Sequence, residues 1–115
     1  MKKIFITIML AIVTNLQAQE TFGIEQRNGQ YYQLEKGKEK LLPYTQIAPF
    51  FEYRAVVKIN GKYGYINPQA QLISPAKYTQ ALSFVRGFAV VKIEDKYGII
   101  NIDGKEVIPV EYSDI

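Results

Sequence analysis

The chain repeats itself with a period of 34 residues, beginning at Tyr44. When residues 44–77 are aligned with residues 78–111 without a gap, 15 of the 34 positions are identical. The longest identical block is Ala-Val-Val-Lys-Ile, which starts at Ala55 in the first copy and at Ala89 in the second. A fixed period of this length is typical of repeat proteins, in which each unit needs its neighbours to bury its apolar face.

Each copy shows the same succession of strand and turn signals. In the first copy, the apolar segments Arg54–Ile59 and Lys62–Asn67 flank an Asn-Gly pair, which favours a two-residue β-hairpin turn. A further turn leads to a short third strand, which is predicted to end at Pro75 in the first copy and at Pro109 in the second. Proline suits this position because its missing N–H does no harm at the edge of a sheet. The sequence therefore predicts an all-β fold of tandem three-stranded antiparallel units, as a solenoid-like array or a small open barrel.

The two-residue turn also predicts the hairpin register, with Val57 opposite Gly64 and Val91 opposite Gly98. Side chains alternate between the two faces of a strand, so one face of each hairpin is small and aliphatic. The residues predicted to be buried on this face are Val57, Ile59, Ile66, Val91, Ile93 and Ile100. The opposite face is predicted to be at best half-buried. Since a glycine weakens a strand, a Tyr or Phe of a neighbouring connector is expected to lie across each glycine.

The segments outside the two copies complete the domain organisation. Residues 19–43 form a degenerate and more polar copy, which suits an N-terminal capping repeat. Residues 112–115 begin a further repeat and stop before its expected Phe. Two interpretations stay open: the chain is a truncated piece of a longer array, or this short segment closes the domain against the first unit.

Residues 1–18 have the pattern of a secretory signal peptide. Lys2 and Lys3 precede Ile4–Val13, an apolar run of 10 residues. This run is shorter than the roughly 20 residues that span a bilayer. Cleavage after Ala18 would export the protein to the periplasm, the cell surface or the medium; the alternative is a retained anchor.

Composition narrows the possible chemistry. The chain contains no Cys and no His, which excludes disulfides, thiolate chemistry and most zinc, haem and Ser-His sites. Without Lys2 and Lys3, 12 basic residues stand against 11 acidic ones, so the net charge is +1. This near-neutral balance does not favour nucleic acid or stable membrane insertion. No cofactor and no metal are expected.

Residues 84–112 resemble the WG-repeat family, whose pattern reads Phe, Gly-Leu-Ala, Val, Lys-Trp-Gly, Ile-Asp, Gly-Lys, Ile-Pro and Tyr in this order. The resemblance covers residues 44–115 well and residues 22–43 weakly. Tyr63 and Tyr97 stand where that family has the Trp of its name. The resemblance implies tandem three-stranded β units, commonly in exported or envelope-associated bacterial proteins. It implies no catalytic residues, because the family has no generally established activity.

A repeated face of tyrosines and lysines is the candidate interaction surface. It comprises Lys58, Tyr63, Tyr65, Lys92 and Tyr97. Exposed Tyr beside a cation offers stacking and hydrogen bonding, which suits a protein or a cell-envelope glycan as partner. The alternative is that these rings pack between consecutive units.

Three functions follow in order of preference. The first is an exported, non-catalytic β-repeat protein that presents a binding or scaffolding surface in the bacterial envelope. The second is a structural spacer of a larger protein without its own ligand. The third is a glycan-acting enzyme, which is disfavoured because the carboxylates do not recur at equivalent positions.

The leader generates the first prediction. Because a signal peptidase cleaves after a small residue, the exported protein should begin near Gln19. Mass spectrometry of the intact protein from the periplasm or the medium measures this start. Recovery of the chain with Met1 in the membrane fraction would contradict export as a soluble protein.

Overall fold

The computed structural model describes residues 21–113, so the predicted signal peptide lies outside the described residues. The described part contains ten β-strands and no helix. They are β1 (Ile24–Arg27), β2 (Gln30–Glu35), β3 (Lys38–Leu42), β4 (Gln46–Ile47), β5 (Ala55–Ile59), β6 (Lys62–Ile66), β7 (Gln80–Ala81), β8 (Phe88–Ile93), β9 (Lys96–Asn101) and β10 (Glu106–Tyr112). The prediction of an all-β fold is confirmed.

The strands form three antiparallel sheets, one for each unit of the sequence. Their strand orders are β1-β2-β3, β4-β5-β6 and β10-β9-β8-β7. No sheet in the described part closes into a barrel. The fold is therefore a row of small antiparallel sheets, as the prediction of tandem units expected.

The hairpin turns place the register as predicted. Val57 lies opposite Gly64 in the β5–β6 pair, and Val91 lies opposite Gly98 in the β8–β9 pair. Asn60 has a φ of 53° and the following glycine a φ of 78°, the left-handed geometry that this turn requires. The two-residue turns, Asn60-Gly61 and Glu94-Asp95, thus determine which side chains share a face of each hairpin.

The third strand differs from the prediction. In the second repeat, β10 runs through Pro109, with register shifts on both sides of Ile108. Proline is tolerated there because β10 lies at the edge of its sheet, where the missing N–H need not pair. In the first repeat, the corresponding segment forms only isolated bridges, from Leu72 to Ile66 and from Tyr78 to Tyr63.

The connectors add two short strands that the sequence did not predict. β4 pairs with β5, and β7 pairs with β8, at equivalent positions of the two repeats. Each is two residues long, which is too short to show an alternation of polar and apolar residues. Each repeat therefore begins on the outer edge of its own hairpin.

Two apolar clusters hold the three sheets together. The first joins the N-terminal sheet to the first repeat and contains Ile24, Leu42, Tyr44, Phe50, Ala55, Val57, Ile66 and Ala70. The second joins the two repeats and contains Val56, Tyr65, Tyr78, Phe84, Ala89, Val91 and Ile100. The hairpin β5–β6 contributes to both clusters, so it is buried on both faces. Its second face was predicted to be at best half-buried, which is wrong because the second repeat covers it.

Of the six residues predicted for the core face, four are buried and two are not. Val57, Ile66, Val91 and Ile100 are each at most 1% exposed. Ile59 and Ile93 are partly buried. Both end their strands next to a hairpin turn and pack at the margins of the apolar clusters.

The two strand glycines are covered, but not by a Tyr or Phe connector. A Cβ added at Gly64 would lie 3.1 Å from the Cα of Ala76. One added at Gly98 would lie 2.7 Å from the carbonyl oxygen of Ile108 and 2.9 Å from the Cα of Val110. The last segment of the same unit therefore crosses each glycine, which makes the absence of a side chain a packing requirement.

The distances at these glycines predict that substitution by alanine lowers the stability of the protein more at Gly98 than at Gly64. Gly98→Ala should lower the free energy of unfolding by roughly 1–3 kcal/mol, because backbone atoms block the new methyl group. Gly64→Ala should cost less, because its contacts are looser. Urea denaturation of both variants measures the difference. A Gly98→Ala protein that is more stable than the parent would show that no close contact exists there.

Candidate interaction surface

Four of the five predicted surface residues form two equivalent pairs. Lys58 lies directly opposite Tyr63, with its Nζ 5.4 Å from the centroid of the ring. Lys92 lies opposite Tyr97 in the same way, with its Nζ 5.0 Å from the centroid. All four side chains are half-buried. We call these two pairs the Lys/Tyr row.

Tyr65 does not belong to this surface, so its prediction as a surface residue is wrong. Its ring is 0% exposed and packs edge-on against Phe84, with the centroids 5.1 Å apart. Its hydroxyl donates a hydrogen bond of 2.6 Å to the carbonyl of Leu82. Burial raises the pKa of Tyr65 well above its ordinary value, so the phenol stays neutral. For this residue the alternative holds: the ring packs between consecutive units.

The backbone of Tyr63 pairs with the first residue of the second repeat. Tyr63 lies one residue from the hairpin turn, at the outer edge of its sheet. Its N–H donates to the carbonyl of Tyr78 over 2.8 Å, and the N–H of Tyr78 donates back over 3.1 Å. Tyr97 and Tyr112 are paired in the same way in the second repeat. Each Tyr of the row thus anchors the residue that begins the following unit.

A second polar cluster lies between the repeats, and the sequence did not indicate it. The hydroxyl of Tyr78 donates to the Oε2 of Glu106 over 3.0 Å, and the Nζ of Lys77 contacts the same oxygen over 2.8 Å. Hydrogen bonding to Lys77 lowers the pKa of Glu106, and burial raises the pKa of Tyr78. At neutral pH the cluster therefore holds an ionised carboxylate and a neutral phenol. Leu72 replaces Glu106 in the first repeat, so no repeated pattern marked this site.

Two further polar contacts connect the first repeat to the second. The carboxylate of Glu52 accepts hydrogen bonds from the backbone N–H of Arg86, at 2.5 Å, and of Gly87, at 2.7 Å. The Nε of Arg54 donates to the carbonyl of Ile102 over 2.8 Å. Glu52 and Arg54 therefore serve to position the repeats, rather than to present charge to a ligand.

A shallow apolar cleft of about 230 Å³ lies between the N-terminal sheet and the first connector. Its walls include Ile24, Tyr31, Ile47 and Phe50. It is smaller than the roughly 300–1,000 Å³ that is typical of small-molecule sites. This cleft is therefore a weaker candidate than the Lys/Tyr row.

Two other kinds of feature, a metal-binding cluster and a membrane-spanning helix, are absent from residues 21–113. No three acidic side chains lie close enough together there to hold a metal ion. That part of the chain also has no helix of the length and apolar character needed to cross a membrane.

Comparison with known protein families identifies the repeat. The family model described as WG containing repeat matches residues 63–97 and residues 97–115. The two matches meet at Tyr97, one period after Tyr63, so they follow the same repeat as the internal alignment. Comparisons with curated proteins and with solved structures returned no match. Residues 63–115 therefore carry WG repeats, with Tyr63 and Tyr97 in place of the Trp of the motif.

Proposed function

We propose that this β-repeat module is an exported, non-catalytic protein that binds an envelope polymer through its Lys/Tyr row. The observation that carries the proposal is the recurrence of the same pair in both repeats. Each pair consists of a half-buried Lys and a half-buried Tyr that face each other across one hairpin. A pair that served packing alone would have no need of a cation at both positions.

The chemistry of the row favours an acidic glycan as the polymer. Each pair offers an ammonium group and a phenol hydroxyl, while the ammonium group covers part of the ring. A carboxylate-bearing sugar can accept hydrogen bonds from both groups, and its ring can contact the edge of the phenol. Two equal sites in one chain also increase the overall affinity for a repeating polymer, because the second contact becomes intramolecular. An acidic protein segment is the alternative partner.

The exported location is supported by the leader, in which Lys2 and Lys3 precede the apolar run and Ala18 follows it. The non-catalytic character is supported by the positions of the carboxylates. Glu52 accepts two backbone hydrogen bonds, and Glu106 is held by Lys77 and Tyr78. Both carboxylates are thus held in structural contacts, whereas glycoside hydrolysis uses a pair of carboxyl groups that act on the substrate.

A structural spacer is the second candidate function, and the burial of Tyr65 favours it. In that case the row contributes only to the hairpins. Removal of the ammonium groups distinguishes the two functions. A binding protein would lose affinity for its ligand, whereas a spacer has no ligand and would lose little stability.

The test compares two double variants with equal changes in charge. Lys58→Ala/Lys92→Ala removes both ammonium groups of the row. Lys62→Ala/Lys96→Ala removes two exposed ammonium groups from the same hairpins, outside the row. Affinity electrophoresis in gels that contain polygalacturonate, with dextran gels as the neutral reference, measures the binding. The row variant should bind polygalacturonate roughly tenfold more weakly, which corresponds to about 1.4 kcal/mol, while the control variant should bind like the parent.

Two outcomes would contradict the proposal. One is equal loss of binding in both double variants, which would indicate non-specific attraction by surface charge. The other is a parent protein that neither polygalacturonate nor dextran retards. With unchanged melting temperatures in both variants, that second outcome would favour the spacer function.

A further inference from the structure

Each pair of the Lys/Tyr row has a glutamine beside it on the neighbouring strand. Gln46 of β4 lies opposite Lys58, and Gln80 of β7 lies opposite Lys92. Residues directly opposite each other in antiparallel strands share one side of the sheet, so each glutamine lies on the same side as its pair. Three neighbouring strands therefore carry an amide, an ammonium group and a phenol in one line. We call these lines the two triplets; they consist of Gln46, Lys58 and Tyr63, and of Gln80, Lys92 and Tyr97.

The threonine before each glutamine fixes the edge strand to the lysine. The backbone N–H of Thr45 donates to the carbonyl of Lys58 over 2.8 Å, and its hydroxyl donates to the same oxygen over 3.1 Å. Thr79 donates to the carbonyl of Lys92 in the same two ways, at the same two distances. Because β4 and β7 are only two residues long, these bonds hold much of their register. The glutamine that follows is thus placed beside the lysine in both repeats.

The glutamine is the one residue of the shared Tyr-Thr-Gln segment without a structural contact of its side chain. This segment occupies residues 44–46 and 78–80, and the identity ends after it, with Ile47 in the first repeat and Ala81 in the second. The tyrosine of each copy is buried, and the threonine holds the register. Both glutamines are exposed, and neither amide has a hydrogen-bond partner among the residues that the structure describes. The amides are therefore available to a ligand of the row.

The amide adds hydrogen-bonding chemistry that the lysine lacks. An ammonium group only donates, whereas an amide side chain presents two donor hydrogens and an acceptor oxygen. The hydroxyl groups of a sugar ring both donate and accept, so two neighbouring hydroxyls can satisfy both ends of one amide. The side-chain carboxylates of an acidic protein segment only accept, and they leave the amide oxygen without a donor. The amide therefore favours a sugar that carries a carboxylate over a carboxylate alone.

The spacing of the three groups suits a short stretch of a polysaccharide. Neighbouring strands lie about 4.8 Å apart, so the three strands of one triplet extend over roughly 10 Å. This length is comparable to that of two linked sugar rings. A carboxylate held by the ammonium group in the middle of the triplet would place ring hydroxyls beside the amide on one side and the phenol on the other.

We infer that Gln46 and Gln80 are sugar-binding residues, and that they make the row selective for an acidic polysaccharide over an acidic protein segment. In each triplet the ammonium group holds the carboxylate, and the amide exchanges hydrogen bonds with hydroxyls of the sugar. The inference rests on the proposed function and adds to it the residues that choose between its two partners.

The test removes both amides without a change in charge. Gln46→Ala/Gln80→Ala is compared with Gln69→Ala/Gln71→Ala, which removes two exposed amides at the end of β6 that is remote from Tyr63. Affinity electrophoresis in gels that contain polygalacturonate or poly-L-glutamate gives the dissociation constants. The parent should bind polygalacturonate more tightly than poly-L-glutamate. The first variant should bind polygalacturonate roughly fivefold more weakly, as expected for the loss of hydrogen bonds to uncharged hydroxyls, and poly-L-glutamate like the parent. The control variant should bind both polymers like the parent.

A second variant keeps the length of the side chain. Gln46→Met/Gln80→Met removes the amides but retains an unbranched chain of similar size, so it should bind both polymers like the alanine variant and melt like the parent.

The outcomes separate the inference from the proposed function. If Lys58→Ala/Lys92→Ala weakens the binding of polygalacturonate and both glutamine variants bind it like the parent, the inference is overturned and the proposed function stands. The inference is also overturned if the glutamine variants lose affinity equally for both polymers, or if the parent binds poly-L-glutamate more tightly. A parent that polygalacturonate does not retard would overturn both.

Discussion

The packing of Tyr65 between the two repeats is the contact on which the arrangement of the sheets depends. Its ring lies against Phe84, and its hydroxyl bonds to the carbonyl of Leu82, so one residue of β6 holds the connector of the next unit. Truncating a buried aromatic side chain to alanine costs roughly 3–5 kcal/mol, whereas a single hydrogen bond contributes about 1 kcal/mol. Apolar burial between units therefore outweighs the polar contacts of Glu52 and Arg54, which are made at exposed positions.

The middle hairpin takes part in the apolar packing on both of its sides. β5–β6 is buried on both faces, towards the N-terminal sheet through Val57 and Ile66 and towards the second repeat through Val56 and Tyr65. The sheets on either side each have one face away from the cores. The N-terminal sheet carries ion pairs together with the exposed Leu34 and Leu41 on that face, and the second repeat carries Phe88, Val90 and Ile99.

The sequence predicted the local structure well, because turn chemistry and strand alternation act over a few residues. The Asn-Gly turn and the pairing of Val57 with Gly64 follow from rules of this kind. The sequence left open whether the tyrosines pack between units, and it did not show that Tyr65 is the buried one, because this depends on how the next unit lies and the second repeat has Ile99 at that position. The prediction that the third strand ends at Pro109 was also wrong. Proline is typical of an edge strand, and this edge strand continues to Tyr112. Each repeat by itself predicts one pair of the Lys/Tyr row. The cluster around Glu106 combines residues of both repeats, so no single repeat predicts it.

A double-mutant cycle between Tyr65 and Phe84 tests most directly whether packing between the units holds the fold together. The free energies of unfolding of Tyr65→Ala, Phe84→Ala and the double variant are compared with that of the parent. The account predicts a coupling of roughly 0.5–1.5 kcal/mol, as for other aromatic pairs in edge contact. A parallel cycle between Tyr65 and Phe50, which lies in the other cluster, should be additive to within about 0.5 kcal/mol. Additive effects of Tyr65 and Phe84 would contradict the account, because the two repeats would then be held together by other contacts.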